Sequence, residues 1–156
     1  MKVYDYVDRN SVPNDANIVN VKWVHVNKGT MDKQVVRCRL VAQEFNDGSN
    51  KDELFAVTPP LYIVRAILSL FATGDNYKVN GLMVLDVKGA FLYGSARRDI
   101  YIELPREDSM SITGKWLGKL NKAMYGTRDA PQIWQDEVES KMKSIGFVVS
   151  GLYASV

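Results

Sequence analysis

The chain of 156 residues has the usual length of one compact domain, and its composition, 46% hydrophobic and 24% charged, is that of an ordinary globular protein. Its net charge of +2 is too small for the whole chain to attract nucleic acid by charge alone. One cysteine, Cys38, and one histidine, His25, exclude an intrachain disulfide, a zinc cluster built on cysteines and a metal site built on paired histidines. At alternating strand positions, we expect Cys38 to be a small buried side chain and His25 to be exposed.

Two segments near the N-terminus are predicted to pair as an antiparallel hairpin. Residues 19–26 alternate in polarity like a half-buried strand, residues 27–29 begin a turn, and residues 33–42 continue as the second strand. Residues 45–52 are rich in Asn, Asp, Gly and Ser and are predicted to form a loop.

The hairpin region is basic and the residues after it are acidic. Residues 22–43 carry five basic side chains against Asp32 alone, and residues 44–60 carry four acidic side chains against Lys51 alone. This pattern is typical of a phosphate-facing surface beside a solvated loop, or of an ordinary solvated hairpin.

A first helix is predicted over residues 61–71, after a pair of prolines that suit a first helical turn. Gly74 is a natural stop. One stripe of this helix holds its main apolar residues, which are Ile63, Ile67, Leu70 and Phe71. Short strands are then predicted over residues 82–85, 100–104 and 115–120.

A second helix is predicted over residues 130–145. Asp129 and Gln132 have the spacing of a capping box, and Gly146 ends the helix. Its buried side is expected to hold Trp134, Val138, Met142 and Ile145. Strands interleaved irregularly with two main helices indicate an α+β fold and not a regular βαβ series.

The chain has no apolar signal segment at its N-terminus, and no stretch reaches about 18 uncharged apolar residues. We therefore expect an intracellular protein, cytoplasmic or nuclear, that is not secreted and has no membrane partner.

Asp86 follows the apolar run and is a candidate ligand for a divalent cation, because the end of a buried strand holds a carboxylate rigidly while leaving it open to solvent. The small residues Gly89 and Ala90 would let a ligand approach, and Phe91 could form a pocket wall. The alternative is that Asp86 only caps the strand or starts a turn.

Arg37 and Arg39 lie two positions apart on a predicted strand, so their side chains point to the same face. Two guanidinium groups placed in this way could bind a triphosphate. They could equally be exposed charges that discourage pairing at a strand edge.

Several segments, in order, resemble the copia-type reverse transcriptase domain. Residues 36–45, VRCRLVAQEF, preceded by Lys22-Trp23-Val24, are similar to the family's fingers hairpin. Residues 85–94, LDVKGAFLYG, resemble the motif that carries its first catalytic aspartate. Residues 122–134, KAMYGTRDAPQIW, are similar to the loop and helix start that lie under the template and incoming nucleotide. Shorter matches at residues 53–56, 100–105 and 144–147 extend the resemblance over nearly the whole chain.

The resemblance implies a partial right-hand polymerase with fingers and palm, α+β, built from antiparallel strands and two main helices. Residues 1–156 would be one partial domain, with a fingers-like hairpin and loop at 18–60 and partial palm with connecting fingers at 61–156. The implied activity is addition of deoxynucleotides to a primer on an RNA or DNA template by two-metal phosphoryl transfer. Primer–template, deoxynucleoside triphosphates and the remainder of a transposon polyprotein are the implied partners.

The same resemblance assigns roles to individual residues. Asp86 and the Val87 carbonyl would bind Mg²⁺, with Asp86 as the catalytic residue. The nucleotide-binding residues would be Arg37, Arg39, Ala90, Phe91 and Gly126. Among them the two arginines would neutralise the triphosphate, Phe91 would exclude a ribose 2′-hydroxyl, and Gly126 would approach the template–nucleotide pair.

The sequence departs from the family pattern at several positions. Gln43 and Glu44 stand where many relatives have a basic residue and glycine, which weakens the basic fingers surface. Gly89 replaces a commoner small hydroxyl residue, and Asp129 replaces a common glutamine while still suiting a helix cap.

The family also places two adjacent aspartates in a hairpin after the segment near Leu152 and Tyr153, and no Asp-Asp pair occurs in these 156 residues. The resemblance therefore implies a chain truncated before that motif, with an incomplete metal site and an unpaired palm strand edge. We expect the chain alone to be inactive as a polymerase. A non-catalytic nucleic-acid-binding remnant and a non-functional pseudogene product remain the alternatives.

Overall fold

The computed structural model describes residues 1–30, 32–45, 60–73 and 85–148, which form two separate β-sheets and two α-helices. The strands are β1 (Tyr4–Asp8), β2 (Asn17–Val19), β3 (Val21–Asn27), β4 (Val36–Ala42), β5 (Ile100–Glu103) and β6 (Trp116–Leu120). The helices are α1 (Leu61–Thr73) and α2 (Ala130–Ser144). The predicted α+β class with antiparallel strands and two helices is therefore confirmed.

The four-stranded sheet has the order β1-β6-β5-β2 and contains the centre of the core. Ile102 on β5 and Leu117 on β6 are fully buried, and Val19, Ile100 and Leu120 form a core cluster with Ile102. The outer strand β1, with the sequence YDYVD, was not predicted. One pair, β2 with β5, is parallel, whereas β1–β6 and β5–β6 are antiparallel as expected.

The predicted hairpin is present as β3 and β4, with Val21 opposite Ala42 at one end and Asn27 opposite Val36 at the other. The Asn27 side chain closes the turn, because its Oδ1 accepts hydrogen bonds from the backbone amides of Gly29 and Val35, each at 3.0 Å. The first strand was predicted as one element over 19–26, but it divides at Asn20 into β2 and β3, which belong to different sheets.

Burial along the hairpin follows distance from the four-stranded sheet more than it follows alternation. Val36 is 56% exposed at the outer end, whereas Ala42 is 3% exposed at the base. The expectation of a buried Cys38 is therefore wrong, since Cys38 lies on the outer part, where β3 and β4 chiefly contact each other. His25 is exposed as predicted, and its Nδ1 lies 3.0 Å from the Cys38 sulfur.

Both predicted helices are present. In α1, the Pro60 carbonyl accepts a hydrogen bond from the Ile63 amide at 2.9 Å. None of the α1 side chains is buried against the described residues, and Leu70 is 67% exposed. The predicted stop at Gly74 lies outside the described residues, as do residues 82–84 of the strand predicted over 82–85, residues 46–52 of the loop predicted over 45–52, and the matched residues 53–56. Leu85, the one described residue of that predicted strand, is not in a strand and is 63% exposed.

The second helix follows the expected burial only in part. Its fully buried residues are Ala130 and Ile133, whereas the predicted Trp134, Val138 and Met142 are half-buried. Ile145 is 62% exposed, so its predicted burial is wrong. Gly146, with φ of 95°, ends the helix as predicted, and the Phe147 amide donates a hydrogen bond to the Met142 carbonyl at 3.1 Å. Neither described helix is long and apolar enough to cross a membrane.

We predict that Ile102→Ala lowers the free energy of unfolding by about 2–5 kcal/mol, because removing a fully buried branched side chain leaves a cavity. Ile112→Ala is the matched control, since the same atoms are removed from a side chain that is 83% exposed, and its effect should stay within about 0.5 kcal/mol. Urea unfolding measures both. Equal losses in the two variants would contradict a core centred on β5 and β6.

Candidate functional site

A cleft of about 680 Å³ lies between the β3–β4 hairpin and the segment that carries Asp86. Four predicted site residues line it, and they come from distant parts of the chain: Arg37, Arg39, Asp86 and Val87. The other three predicted residues, Ala90, Phe91 and Gly126, are not among the described residues at its wall.

Asp86 lies in an exposed, irregular segment that leads into a short 3₁₀ helix at Ala90–Tyr93. Gly89 turns the chain between them with φ of 67°, a left-handed conformation that favours glycine, and its carbonyl accepts from the Leu92 amide at 2.9 Å. The departure from a small hydroxyl residue at position 89 therefore suits this backbone. The turn leaves the Asp86 carboxylate at the cleft and open to solvent.

Three side chains contact one another in series, and two of them, Arg39 and Tyr125, line the cleft. The Arg39 guanidinium carbon lies 5.6 Å from the centre of the Tyr125 ring, within the range of a cation–π contact. The Tyr125 ring in turn lies 4.8 Å from that of Phe91, centre to centre. Tyr125 thus connects two predicted nucleotide-binding residues, although no separate role was predicted for it.

Gly126 brings its loop against the base of the hairpin. The Ala42 amide donates to the Tyr125 carbonyl at 2.7 Å, and the Glu44 amide donates to the Gly126 carbonyl at 3.4 Å. A side chain at position 126 would overlap the Ala42 carbonyl oxygen and lie 2.7 Å from a Val41 methyl carbon, and φ is 86°. Close backbone approach therefore requires glycine here.

A cluster of charged side chains lies behind this loop. Arg98 donates two hydrogen bonds to the Glu44 carboxylate, at 2.9 and 3.1 Å, and a third from Nε to Asp129 at 2.9 Å. The Glu44 and Asp129 side chains are only 7% and 8% exposed, whereas that of Arg98 is 38% exposed. Glu44 also accepts from the Asn17 side chain at 3.0 Å and from the Arg128 amide at 2.8 Å.

The cluster lowers the pKa of both carboxyl groups. Burial by itself raises the pKa of Glu44, but hydrogen bonds from Arg98 and from the Arg128 amide outweigh it, so the value lies below the ordinary 4.5. Burial likewise raises the pKa of Asp129, and Arg98 brings it below the ordinary 3.8. The two carboxylates, that of Asp129 foremost, raise the pKa of Arg98, which stays charged.

The expected capping box is wrong in its contacts, although α2 does begin directly after Asp129. The Asp129 side chain makes no cap hydrogen bond and instead accepts from Arg98, while the Gln132 side chain donates to Asp136 at 2.8 Å. One signal in the sequence could have pointed to Arg98: Glu44 and Asp129 are acidic residues at positions where the family pattern has other residues. Their common partner could not be found without the fold, because it lies far from both in sequence.

A second cleft, of about 690 Å³, lies on the opposite side of the Asp86 segment, against α2. Ala90 lines this cleft together with Asp86 and Val87, and Trp134 and Met142 provide much of its apolar wall. The structure therefore separates Ala90 from the arginines, which line the first cleft.

Mg²⁺ favours carboxylate and carbonyl oxygens, which Asp86 and Val87 could supply. In the described ranges, however, no group of three or more His, Cys, Asp or Glu side chains could hold a metal ion. The described residues alone therefore do not build a complete metal site.

The family model described as "Reverse transcriptase (RNA-dependent DNA polymerase)" matches residues 1–156. The chain is 36% identical over 139 residues to the retrovirus-related Pol polyprotein from transposon TNT 1-94 of Nicotiana tabacum, a match covering 85% of this chain and 10% of that protein. It is 30% identical over 142 residues to the corresponding polyprotein from transposon RE1 of Arabidopsis thaliana, which covers 88% of this chain and 9% of that protein. It is 28% identical over 142 residues to the retrovirus-related Pol polyprotein from transposon RE2 of the same plant, a match covering 88% of this chain and 10% of that protein.

The chain thus spans about a tenth of the length of these curated relatives. No solved structure matches it significantly.

We predict that Arg98→Met lowers the free energy of unfolding by about 1–3 kcal/mol, because two nearly buried carboxylates lose their guanidinium donor. The neighbouring Arg97 provides a matched control. It pairs with Asp136 at 2.6 Å, and the two side chains are 51% and 38% exposed, so neither is withdrawn from solvent. Arg97→Met should therefore change the free energy of unfolding by no more than about 0.5 kcal/mol. Denaturant unfolding of the three proteins tests this, and equal effects of the two substitutions would contradict it.

The pH dependence of unfolding should report on the same cluster. Since the folded-state pKa values of Glu44 and Asp129 are lowered, the stability that they contribute is complete above their ordinary values and is lost as pH falls through the lowered ones. In Arg98→Met the carboxylates keep their burial, which raises the pKa, without the guanidinium that lowers it.

We therefore expect the difference in unfolding free energy between the unmodified chain and Arg98→Met to shrink as pH falls from about 7 to about 3. Urea unfolding at several pH values measures it. A difference that stays constant over this interval would contradict the proposed origin of the stability.

Proposed function

Because the chain belongs to the reverse transcriptase (RNA-dependent DNA polymerase) family, we propose that it is the nucleotide-binding part of a retrotransposon polymerase that extends a primer with deoxynucleotides. The relatives are retrovirus-related Pol polyproteins of plant transposons, and the copia-type resemblance is thereby confirmed. Residues 18–60 are proposed as the fingers-like hairpin and loop, and residues 61–156 as partial palm and connecting fingers. The observation that carries the proposal is the cleft shared by Arg37, Arg39, Asp86 and Val87.

The two arginines are proposed to bind the triphosphate of the incoming nucleotide. Both line the cleft opposite Asp86, and a guanidinium group can donate two parallel hydrogen bonds to phosphate oxygens. The Tyr125 ring lies against the Arg39 guanidinium, and among the residues that the structure describes Arg39 forms no ion pair with a carboxylate. A guanidinium held in this way could bind a phosphate group.

The remaining predicted residues are proposed to surround the sugar and base. Phe91 would exclude a ribose 2′-hydroxyl, and its contact with Tyr125 would fix its ring. Ala90, next to it in sequence, lines the second cleft, so its predicted role would require the bound nucleotide to extend past the Asp86 segment. Gly126 would let its loop approach the template–nucleotide pair while packing against β4.

Asp86 and the Val87 carbonyl are proposed to hold Mg²⁺ at the cleft. In a complete site, bound Mg²⁺ would supply electrostatic stabilisation of the charge that develops in phosphoryl transfer. The 156 residues contain no Asp-Asp pair, so these residues alone supply one carboxylate of that site. We propose that the remainder of the Pol polyprotein completes it and that the 156-residue chain alone does not incorporate nucleotides.

A second candidate function is binding of nucleic acid without catalysis. The basic side chains of Lys22, Lys28, Lys33 and Arg37 along the hairpin are all exposed. Such a surface would bind phosphate backbones with an affinity that falls steeply as salt rises. Salt-sensitive primer–template binding together with no detectable binding of free nucleotide would favour this candidate.

We predict that the purified chain binds a deoxynucleoside triphosphate and that Arg39→Met weakens this binding about 10- to 100-fold, because charge-assisted hydrogen bonds to phosphate are lost. Titration calorimetry measures the dissociation constants. Arg97→Met is the control, since Arg97 pairs with Asp136 outside the cleft and its loss should leave binding unchanged.

Equal binding by the Arg39→Met variant and the unmodified chain would overturn the assignment of the cleft. Template-directed incorporation by the 156-residue chain alone would overturn the proposal that its metal site is incomplete.

A further inference from the structure

Arg98 joins three parts of the structure that are far apart in sequence. Glu44 follows the end of β4, Asp129 immediately precedes α2, and Asn17, which also bonds to Glu44, begins β2. Arg98 itself lies just before β5. One guanidinium group therefore connects the hairpin, the long helix and the four-stranded sheet.

The loop that supports Arg39 lies within this connection. Its Tyr125 carbonyl bonds to the Ala42 amide, and its Gly126 carbonyl bonds to the Glu44 amide. Two residues after Gly126, the Arg128 amide donates a hydrogen bond to the Glu44 carboxylate. The residues from 125 to 129 are thus fastened to the base of the hairpin at several points, and Glu44 takes part in two of them.

The position of this loop determines where Arg39 can lie. Arg39 and Ala42 are on the same strand, β4, while the Tyr125 ring lies against the Arg39 guanidinium. Without Arg98, two negative charges with little solvent exposure would face each other across the junction, with Glu44 on the hairpin side and Asp129 on the helix side. Their repulsion and their need for water would both favour separation of hairpin and loop.

We propose that Arg98 is a positioning residue for the nucleotide cleft, holding the Tyr125–Gly126 loop against β4 through Glu44 and Asp129 and so fixing Arg39 beneath the triphosphate. This inference rests on the proposed nucleotide-binding function. It also gives a common explanation for the two acidic departures from the family pattern, since Glu44 and Asp129 are the two carboxylate partners of Arg98.

The first test is a double-mutant cycle on nucleotide binding, with dTTP as the probe, at a temperature where every variant is folded by circular dichroism. Arg98→Met should raise the dTTP dissociation constant roughly three- to tenfold, and Arg98→Lys, which keeps the charge without the fork of donors, should raise it less. In the Arg39→Met background, Arg98→Met should have little further effect, because the residue through which it acts is already absent.

Additive losses in the cycle, or an unchanged dissociation constant in Arg98→Met, would overturn the positioning role, since a residue that only stabilises the fold gives one of these results. Arg97→Met again serves as the control for removal of a nearby positive charge.

The second test needs no nucleotide and separates this inference from the proposed function. Amide hydrogen exchange of Ala42 and Glu44 should become at least roughly tenfold faster in Arg98→Met, while the amides shared by β5 and β6 change only as global stability does. Uniform acceleration at all these amides would overturn the positioning of the loop. If dTTP binds to no variant but the local acceleration is observed, the proposed function fails while the control of the loop by Arg98 stands.

Discussion

A single guanidinium, that of Arg98, faces two carboxylates that are almost withdrawn from solvent, and the arrangement of the cleft depends on this contact. Buried charges persist in proteins only where hydrogen-bonded partners surround them. Glu44 has four such donors, from Arg98, Asn17 and the Arg128 amide, so its position is set from three directions. Glu44 lies two residues after the end of β4, so a fixed Glu44 also restrains β4. Arg37 and Arg39 lie on that strand and are restrained with it.

Periodicity alone predicted most of the regular structure, for reasons that particular elements show. The strands β4, β5 and β6 and both helices have local patterns of period two or near 3.6, which a sequence displays directly. The division at Asn20 has no such signal, because residues on both sides continue the same alternation while pairing with different partners. Cys38 shows the related limit, since alternation identifies a face of a strand but not whether anything covers it.

The candidate site likewise contains residues that were predicted from the sequence and residues that were not. The ordered resemblance selected Arg37, Arg39, Asp86 and Val87, and the fold brings these four to one cleft. It did not select Tyr125 or Arg98, whose contacts are with residues distant in sequence: Phe91 and Arg39 for the tyrosine, Glu44 and Asp129 for the arginine. The capping role of Asp129 was inferred from spacing within one helix. In the structure its carboxylate accepts a hydrogen bond from the charged Arg98 instead, and such a bond is stronger than one to a backbone amide.

Where Ala42 and Glu44 meet the Tyr125–Gly126 loop, the hydrogen bonds from their amides join main-chain atoms on both sides. Substitution of Ala42 by another small residue leaves its amide and carbonyl in place, so the hairpin side of the junction can accept sequence change. The loop side cannot, because any side chain at Gly126 would enter the space that the Ala42 carbonyl occupies. We therefore expect genetic variation at this contact to be one-sided: exchange of Ala42 for another small residue is tolerated as long as Gly126 stays constant.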